Sequence, residues 1–201
     1  MSNILYIKAN VKPEGMSRTF RISDSFLENY KNKNPGDSIT TLDLYKEGIG
    51  FLSADDLTTW FSPKTEQSRS HPMLKYAYQF LDADKYIISA PMWNLSVPAI
   101  FKAYIDYVTV NGITFRYTGT GPVGLCGGKK AIHFVTRGGE YGAGAGAAFE
   151  MGDRYLRTIF GFFGIVDFTT IAAEMLDVHG VDTEAKIKDA MEQAKQAALL
   201  F

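Results

Sequence analysis

The sequence predicts an α/β fold: one doubly wound parallel sheet of five strands in the order 2-1-3-4-5, with helices on both faces. Two observations carry this. Short apolar runs, the mark of parallel strands buried on both faces, alternate with stretches of helical periodicity five times along the 201 residues. No internal repeat, Pro/Ser-rich linker or low-complexity tail interrupts that alternation, so residues 1–201 read as a single domain.

The first strand is Ile4-Leu5-Tyr6-Ile7. A loop with Pro13 and Gly15 follows, Ser17 is a suitable N-cap, and Phe20, Phe26, Leu27 and Tyr30 form a helical stripe to about Lys33, stopped by Asn34-Pro35-Gly36-Asp37. The second strand covers residues 38–44. Residues 45–72, with Gly48, Gly50, Phe51, Trp60, Phe61 and Pro63, read as irregular, and Asp55-Asp56 within them as solvated. A helix is expected over 74–81, the third strand over 85–89, and a helix from Pro98, where the missing N–H is harmless, to Val110. Residues 113–117 read as a short extended piece and 119–128 as a glycine-rich loop. The fourth strand covers 130–136, a long apolar helix 147–163, the fifth strand 166–173, and a terminal helix 183–200 with Glu and Lys outward.

Composition excludes several classes. A net charge of −1 suggests no nucleic-acid or anionic-membrane partner. No apolar run approaches the roughly 20 residues of a membrane helix, and Met1-Ser2-Asn3 lacks a signal peptide's basic and apolar regions. The single cysteine, Cys126, rules out an intrachain disulfide framework, and the cytosol is the expected location. Cys126 sits in a loop where a thiol could oxidise. His71, His133 and His179 lack metal-ligand spacing, and His133, alternating with apolar neighbours, reads as a satisfied core residue.

In such a sheet, ligands bind beyond the carboxyl ends of the strands, at the switch between strands 1 and 3. That directs attention to the loops at 9–17, 91–98 and 137–146. Ser17-Arg18-Thr19 opens a helix, where unpaired N–H groups, two hydroxyls and a cation suit a phosphate; the plain alternative is a simple N-cap. No Gly-Lys-Ser/Thr follows, so a Walker loop is excluded. The runs Gly142 to Ala147 and Gly119 to Gly124 fit dinucleotide fingerprints only formally, since neither follows the first strand into a helix. Strands 1 and 3 end in Lys8-Ala9 and Ser89-Ala90, not in the carboxylates of a phosphoacceptor. What remains is rich in aromatics, amides and backbone donors, without a nucleophile or general base. That suits a cofactor carrying its own chemistry, and a flavin fits: phosphate at Ser17 to Thr19, ring between Met92 to Leu95 and Thr136 to Gly139.

The motifs Ala90-Pro91-Met92-Trp93-Asn94-Leu95, Ile105-Asp106-Tyr107, Thr114-Phe115-Arg116-Tyr117-Thr118, Gly121-Pro122-Val123-Gly124-Leu125, Thr136-Arg137-Gly138-Gly139 and Phe160-Gly161-Phe162-Phe163-Gly164-Ile165 occur in an order that resembles the FMN-dependent NAD(P)H azoreductases, also described as NADH:quinone oxidoreductases. The resemblance covers most of the chain. It implies a flavodoxin-like homodimer with two FMN sites at the interface. It places cofactor contacts at Asn10, Ser17, Arg18, Thr19, Met92, Trp93, Asn94, Leu95, Thr136, Arg137, Gly138 and Gly139. It places Tyr117, Phe162 and Tyr141 on the substrate side, Phe162 from the partner. Asn10 and Thr136 replace the family's serines, and residues 45–72 look short for the family.

The activity so implied is a ping-pong oxidoreductase. NADH or NADPH reduces the flavin, and a flat acceptor (a quinone, an azo or a nitroaromatic compound) is then reduced in its place. The alternative is a noncatalytic flavin electron carrier or redox-responsive module; near-neutral charge argues against a carrier, which usually docks through an acidic surface.

Overall fold

The computed structural model describes residues 1–13 and 15–201; Glu14, in the first predicted loop, lies outside them. In chain order the elements are β1 (Asn3–Lys8), α1 (Arg18–Lys33), β2 (Ser38–Asp43), α2 (Ala54–Phe61), a 3-10 turn (Glu66–Ser70), α3 (Lys75–Asp82), β3 (Lys85–Ser89), α4 (Ala99–Val108), β4 (Phe115–Thr118), β5 (Gly121–Gly124), β6 (Lys130–Thr136), a second 3-10 turn (Gly144–Phe149), α5 (Gly152–Phe162), β7 (Asp167–Ala173) and α6 (Thr183–Leu200). The main sheet runs β2-β1-β3-β6-β7, all parallel. Counting only its five strands, this is the expected order 2-1-3-4-5.

The strand sequences explain the layering. Successive side chains point to opposite faces, so β1 sends Leu5 and Ile7 to one side and Ile4 and Tyr6 to the other. The first set meets Phe80 of α3, Phe101 and Tyr104 of α4 and Phe160 of α5. The second meets Ile22, Phe26 and Tyr30 of α1 and Ile187 and Ala194 of α6. Both faces of β1, β3 and β6 are therefore covered, which is why these strands read as continuous apolar runs.

Four expectations are corrected. Residues 45–72 are not wholly irregular: Ser53 and Asp56 form a reciprocal capping box that starts α2, so Asp56 is a cap and not merely a solvated charge. Trp60 of that helix is partly buried and donates to the Thr109 carbonyl at 2.5 Å, whereas Phe51 and Phe61 are exposed. The stretch expected as a glycine-rich loop holds β5, which pairs antiparallel with β4. Gly124 is required there, because a Cβ would stand 2.1 Å from the Phe163 carbonyl carbon. The long helix expected from Ala147 starts only at Gly152, after the second 3-10 turn. Cys126 is fully buried, and burial pushes its thiol up to about 11, so it is not an oxidisable loop thiol. His133 is the satisfied core residue expected, with Nδ1 on Asp153 Oδ1 at 2.9 Å and Nε2 on the Ala90 carbonyl at 3.2 Å.

Candidate active site

Past the strand ends the sheet's hydrogen bonding continues and launches the loops that form a cleft. Ala9 N–H donates to the Ser89 carbonyl at 2.9 Å, Ala90 N–H to Phe134 at 3.2 Å, Met92 N–H to Thr136 at 3.0 Å and Arg137 N–H to Ala173 at 2.9 Å. The resulting cleft, about 120 Å³, is lined by residues of four of these loops: Asn10, Lys12, Arg18 and Thr19; Pro91, Met92 and Trp93; Thr136, Arg137 and Gly138; and Leu176 and Asp177. It lies at the switch between β1 and β3, where the fold rule places a ligand.

The first wall is the N-terminus of α1. Ser17 lies fully buried behind the lining and caps the helix, accepting from Phe20 N–H at 3.2 Å and from Asn10 Nδ2 at 2.9 Å. Asn10 Oδ1 in turn accepts from Lys12 N–H at 3.1 Å, which folds the loop back over the helix end. The N–H groups of Arg18 and Thr19 have no acceptor among the described residues, and the first turn holds no acidic side chain. Unpaired donors and the positive end of the helix dipole thus face the cleft. The Thr19 and Thr136 hydroxyls meet at 2.6 Å and tie α1 to the end of β6.

The second wall is a tight hairpin. Trp93 and Ser96 exchange backbone hydrogen bonds at 2.8 and 3.0 Å, and the two residues between them, Asn94 (φ 48°) and Leu95 (φ 70°), both take positive φ. This is the pattern of a type I′ turn, which favours Asn-Gly. Asn94 tolerates it; Leu95 is strained there by about 1–3 kcal/mol. The conformation is held from outside, since the Leu95 carbonyl accepts from Met151 N–H at 2.9 Å. Asn94 is exposed, and its carboxamide has no partner among the described residues.

The third wall is the loop after β6. The carbonyls of Arg137, Gly138 and Gly139 are taken by the N–H groups of Leu176, Asp177 and Met175 at 3.2, 3.0 and 3.0 Å. The N–H groups of Gly138 and Gly139 have no acceptor among the described residues. The Arg137 side chain is buried and turned to structural work. It donates to Glu174 at 2.9 Å and approaches Glu150 at 3.4 Å. Glu150 accepts from Gly152, Asp153 and Arg154 N–H groups at 3.1, 2.8 and 3.1 Å, capping α5. One donor of Arg137, its buried Nε, has no partner among the described residues.

Of the residues named from the sequence, Asn10, Arg18, Thr19, Met92, Trp93, Thr136, Arg137 and Gly138 line the cleft together. Asn94, Leu95 and Gly139 adjoin the lining in the chain. Tyr141 packs on Gly139, within 3.3 Å of where a Cβ there would stand. Tyr117 and Phe162 stand elsewhere, grouped with Phe115 at ring separations of 5.4 and 4.7 Å, and Tyr117 is 67% exposed. Sequence reasoning missed Lys12, Leu176 and Asp177. The strand-end rule, applied to the loop after the fifth strand, would have found the last two.

A family profile described as a flavodoxin-like fold matches residues 2–198. The FMN-dependent NADH:quinone oxidoreductase of Clostridium perfringens is 63% identical over 201 residues, covering the whole of both chains. The chain belongs to this flavodoxin-like family of FMN-dependent NADH:quinone oxidoreductases. A second family member, FMN-dependent NADH:quinone oxidoreductase 2 of Clostridium acetobutylicum, is 62% identical, again over both whole chains. Among solved structures, an azoreductase from Bacillus anthracis superposes with a TM-score of 0.91 at 36% identity, over 100% of each chain. An FMN-dependent NADH-azoreductase of the same species, in complex with FMN, gives 0.89 at 27% identity, over 99% of this chain and 98% of that one.

Proposed function

We propose that this chain binds FMN in the cleft and passes electrons from NADH to quinones and to azo or nitroaromatic compounds in two successive half-reactions. The observation that carries this is the set of unpaired donors around one cleft: the N–H groups of Arg18 and Thr19 at one wall, and those of Gly138 and Gly139 at another. A ligand anionic at one end and rich in ring acceptors at the other satisfies both. FMN is such a ligand, and the relatives' names carry it.

When bound, FMN supplies the electron chemistry; the chain binds, orients and shields it. The start of α1 with Thr19 and Arg18 holds the phosphate. Met92 and Trp93 form the apolar wall for the ring, and the Asn94 carboxamide fixes its orientation. The Gly138 and Gly139 N–H groups, fixed because their carbonyls are tied to residues 175–177, would offer dipoles to ring acceptors of the flavin and would stabilise negative charge there. Trp93 also excludes water. No side chain here is required as a general acid or base, because water supplies the protons.

The test is the visible spectrum. Purified chain is expected to be yellow, or to bind added FMN, and to bleach on NADH; menadione should then sustain NADH oxidation. A chain that never takes up FMN sinks the reading. One that bleaches but shows almost no steady-state turnover favours the electron-carrier alternative.

The same reading makes the active species a homodimer. Tyr117 and Phe162 stand apart from their own chain's cleft, so a second copy would have to bring them to the flavin. Exposed Val166 (86%), Phe149 (57%) and Met151 (45%) offer apolar surface for that contact. Sedimentation of the FMN-loaded chain is expected to give the mass of two copies; a monomer with full turnover would refute the shared site. We place the enzyme in the cytoplasm, where NADH is generated.

A further inference from the structure

We infer that the Arg18–Asp177 ion pair is a latch across the cleft, in which Asp177 competes with the flavin phosphate for Arg18 and so restrains cofactor loading. This rests on the FMN reading above and concerns a residue with no role in it.

The two partners come from distant strands. Arg18 follows β1 and Asp177 follows β7, three places away in the sheet, or roughly 14 Å at strand spacing. They meet because the loops lean toward each other above the ends of β3 and β6. Arg18 Nη1 donates to Asp177 Oδ1 at 2.8 Å and reaches the Leu176 carbonyl at 3.4 Å. Both residues line the cleft.

Asp177 is held in that position from behind. Its N–H donates to the Gly138 carbonyl at 3.0 Å, and its Oδ2 lies 2.7 Å from the place where a Cβ on Gly138 would stand. A carboxylate is thus fixed beside the proposed phosphate position, bound to the guanidinium that the phosphate needs. The closed pair spans the cleft from the α1 wall to the loop after β7. Entry of the cofactor requires Arg18 to exchange a carboxylate for a phosphate. The side chains of Arg18 and Asp177 are 39% and 70% exposed, so the latch is weak and its effect is graded, not absolute.

The experiment uses flavin-free full-length chain, titrated with FMN and with riboflavin, which lacks the phosphate, by quenching of flavin fluorescence, with association and release followed by stopped flow. Asp177→Asn keeps the shape and removes the charge. It is expected to bind FMN about two- to fivefold more tightly and to load it faster, with riboflavin unchanged. In an Arg18→Ala background the same substitution should bring a smaller gain, because only the direct repulsion between carboxylate and phosphate is then relieved and no partner is contested. Faster release of FMN from Asp177→Asn would overturn the latch, showing instead a strap closed over bound cofactor. Equal changes for FMN and riboflavin, or an undiminished gain without Arg18, would overturn it too. A parent chain that binds neither flavin removes the cofactor reading itself; one that binds FMN while failing these comparisons removes only the latch.

Discussion

An Arg18→Glu chain is expected to fold as the parent does and to bind FMN roughly 100-fold more weakly, a loss built from Coulomb interactions of about 1–4 kcal/mol per charge pair near a protein surface. The fold should survive because Arg18 is the first residue of α1, a position where an acidic side chain gains about 0.3–1 kcal/mol from the helix dipole. The ion pair to Asp177 is lost, but a half-exposed pair of this kind contributes about 0–1 kcal/mol. Binding should suffer because a cation is replaced by an anion beside the unpaired N–H groups that would receive a dianionic phosphate. Riboflavin affinity should be unchanged, and added salt should narrow the gap between parent and variant. Fluorescence titration gives the affinities, and thermal unfolding of the flavin-free proteins checks the fold. If FMN and riboflavin weaken together, Arg18 supports the cleft in general and does not meet the phosphate.

The loops that carry this prediction were legible because the strands are. β3, β6 and α6 have the bounds read from the sequence, since Tyr86-Ile87-Ile88 and Ala131-Ile132 are apolar on both faces. Strand ends locate the loops, and the fold rule turns loops into a site. What stayed hidden depends on pairing across the chain. Gly-Pro-Val-Gly has no strand signal of its own, and β5 exists because β4 lies opposite and α5 closes over Gly124. α2 fully buries none of its residues, and its apolar stripe is only Leu57, Trp60 and Phe61, too short to stand out among glycines and prolines, although its Ser53–Asp56 capping box was readable. The start of α5 is delayed because Gly146 packs where a Cβ would sit 1.9 Å from the Glu140 carbonyl oxygen, and Glu150 caps the helix only afterwards. Within the site, the family pattern named Arg137 but could not show that its side chain grips Glu174, 37 residues away.

The second large effect lies beneath the Trp93 hairpin. Asp153→Ala is expected to destabilise the chain by about 3–5 kcal/mol, a large share of the 5–15 kcal/mol typical of a domain. Asp153 accepts from His133 Nδ1 at 2.9 Å, the Thr170 hydroxyl at 2.6 Å and Arg157 Nε at 2.7 Å. Burial alone would raise its pKa; the hydrogen bond and charge of His133, with the bonds from Thr170 and Arg157, outweigh burial and hold the carboxyl well below its ordinary value of 3.8. A carboxyl depressed in the fold contributes stability that is complete above its unfolded pKa and is lost as pH falls toward its folded one. The deficit of Asp153→Asn against the parent should therefore be constant above about pH 5 and begin to shrink below about pH 4. Urea unfolding at pH 7 and at pH 3.5 measures both; a deficit that grows on acidification would reverse the assignment. The consequence reaches the cleft through one ring. With Asp153 gone, His133 loses its anchor on one side while its Nε2 still faces the Ala90 carbonyl at 3.2 Å. Ala90 leads directly into Pro91, Met92 and Trp93, so a loosened ring loosens the wall on which the flavin lies. FMN release should accelerate in Asp153→Ala even at temperatures where the chain remains folded.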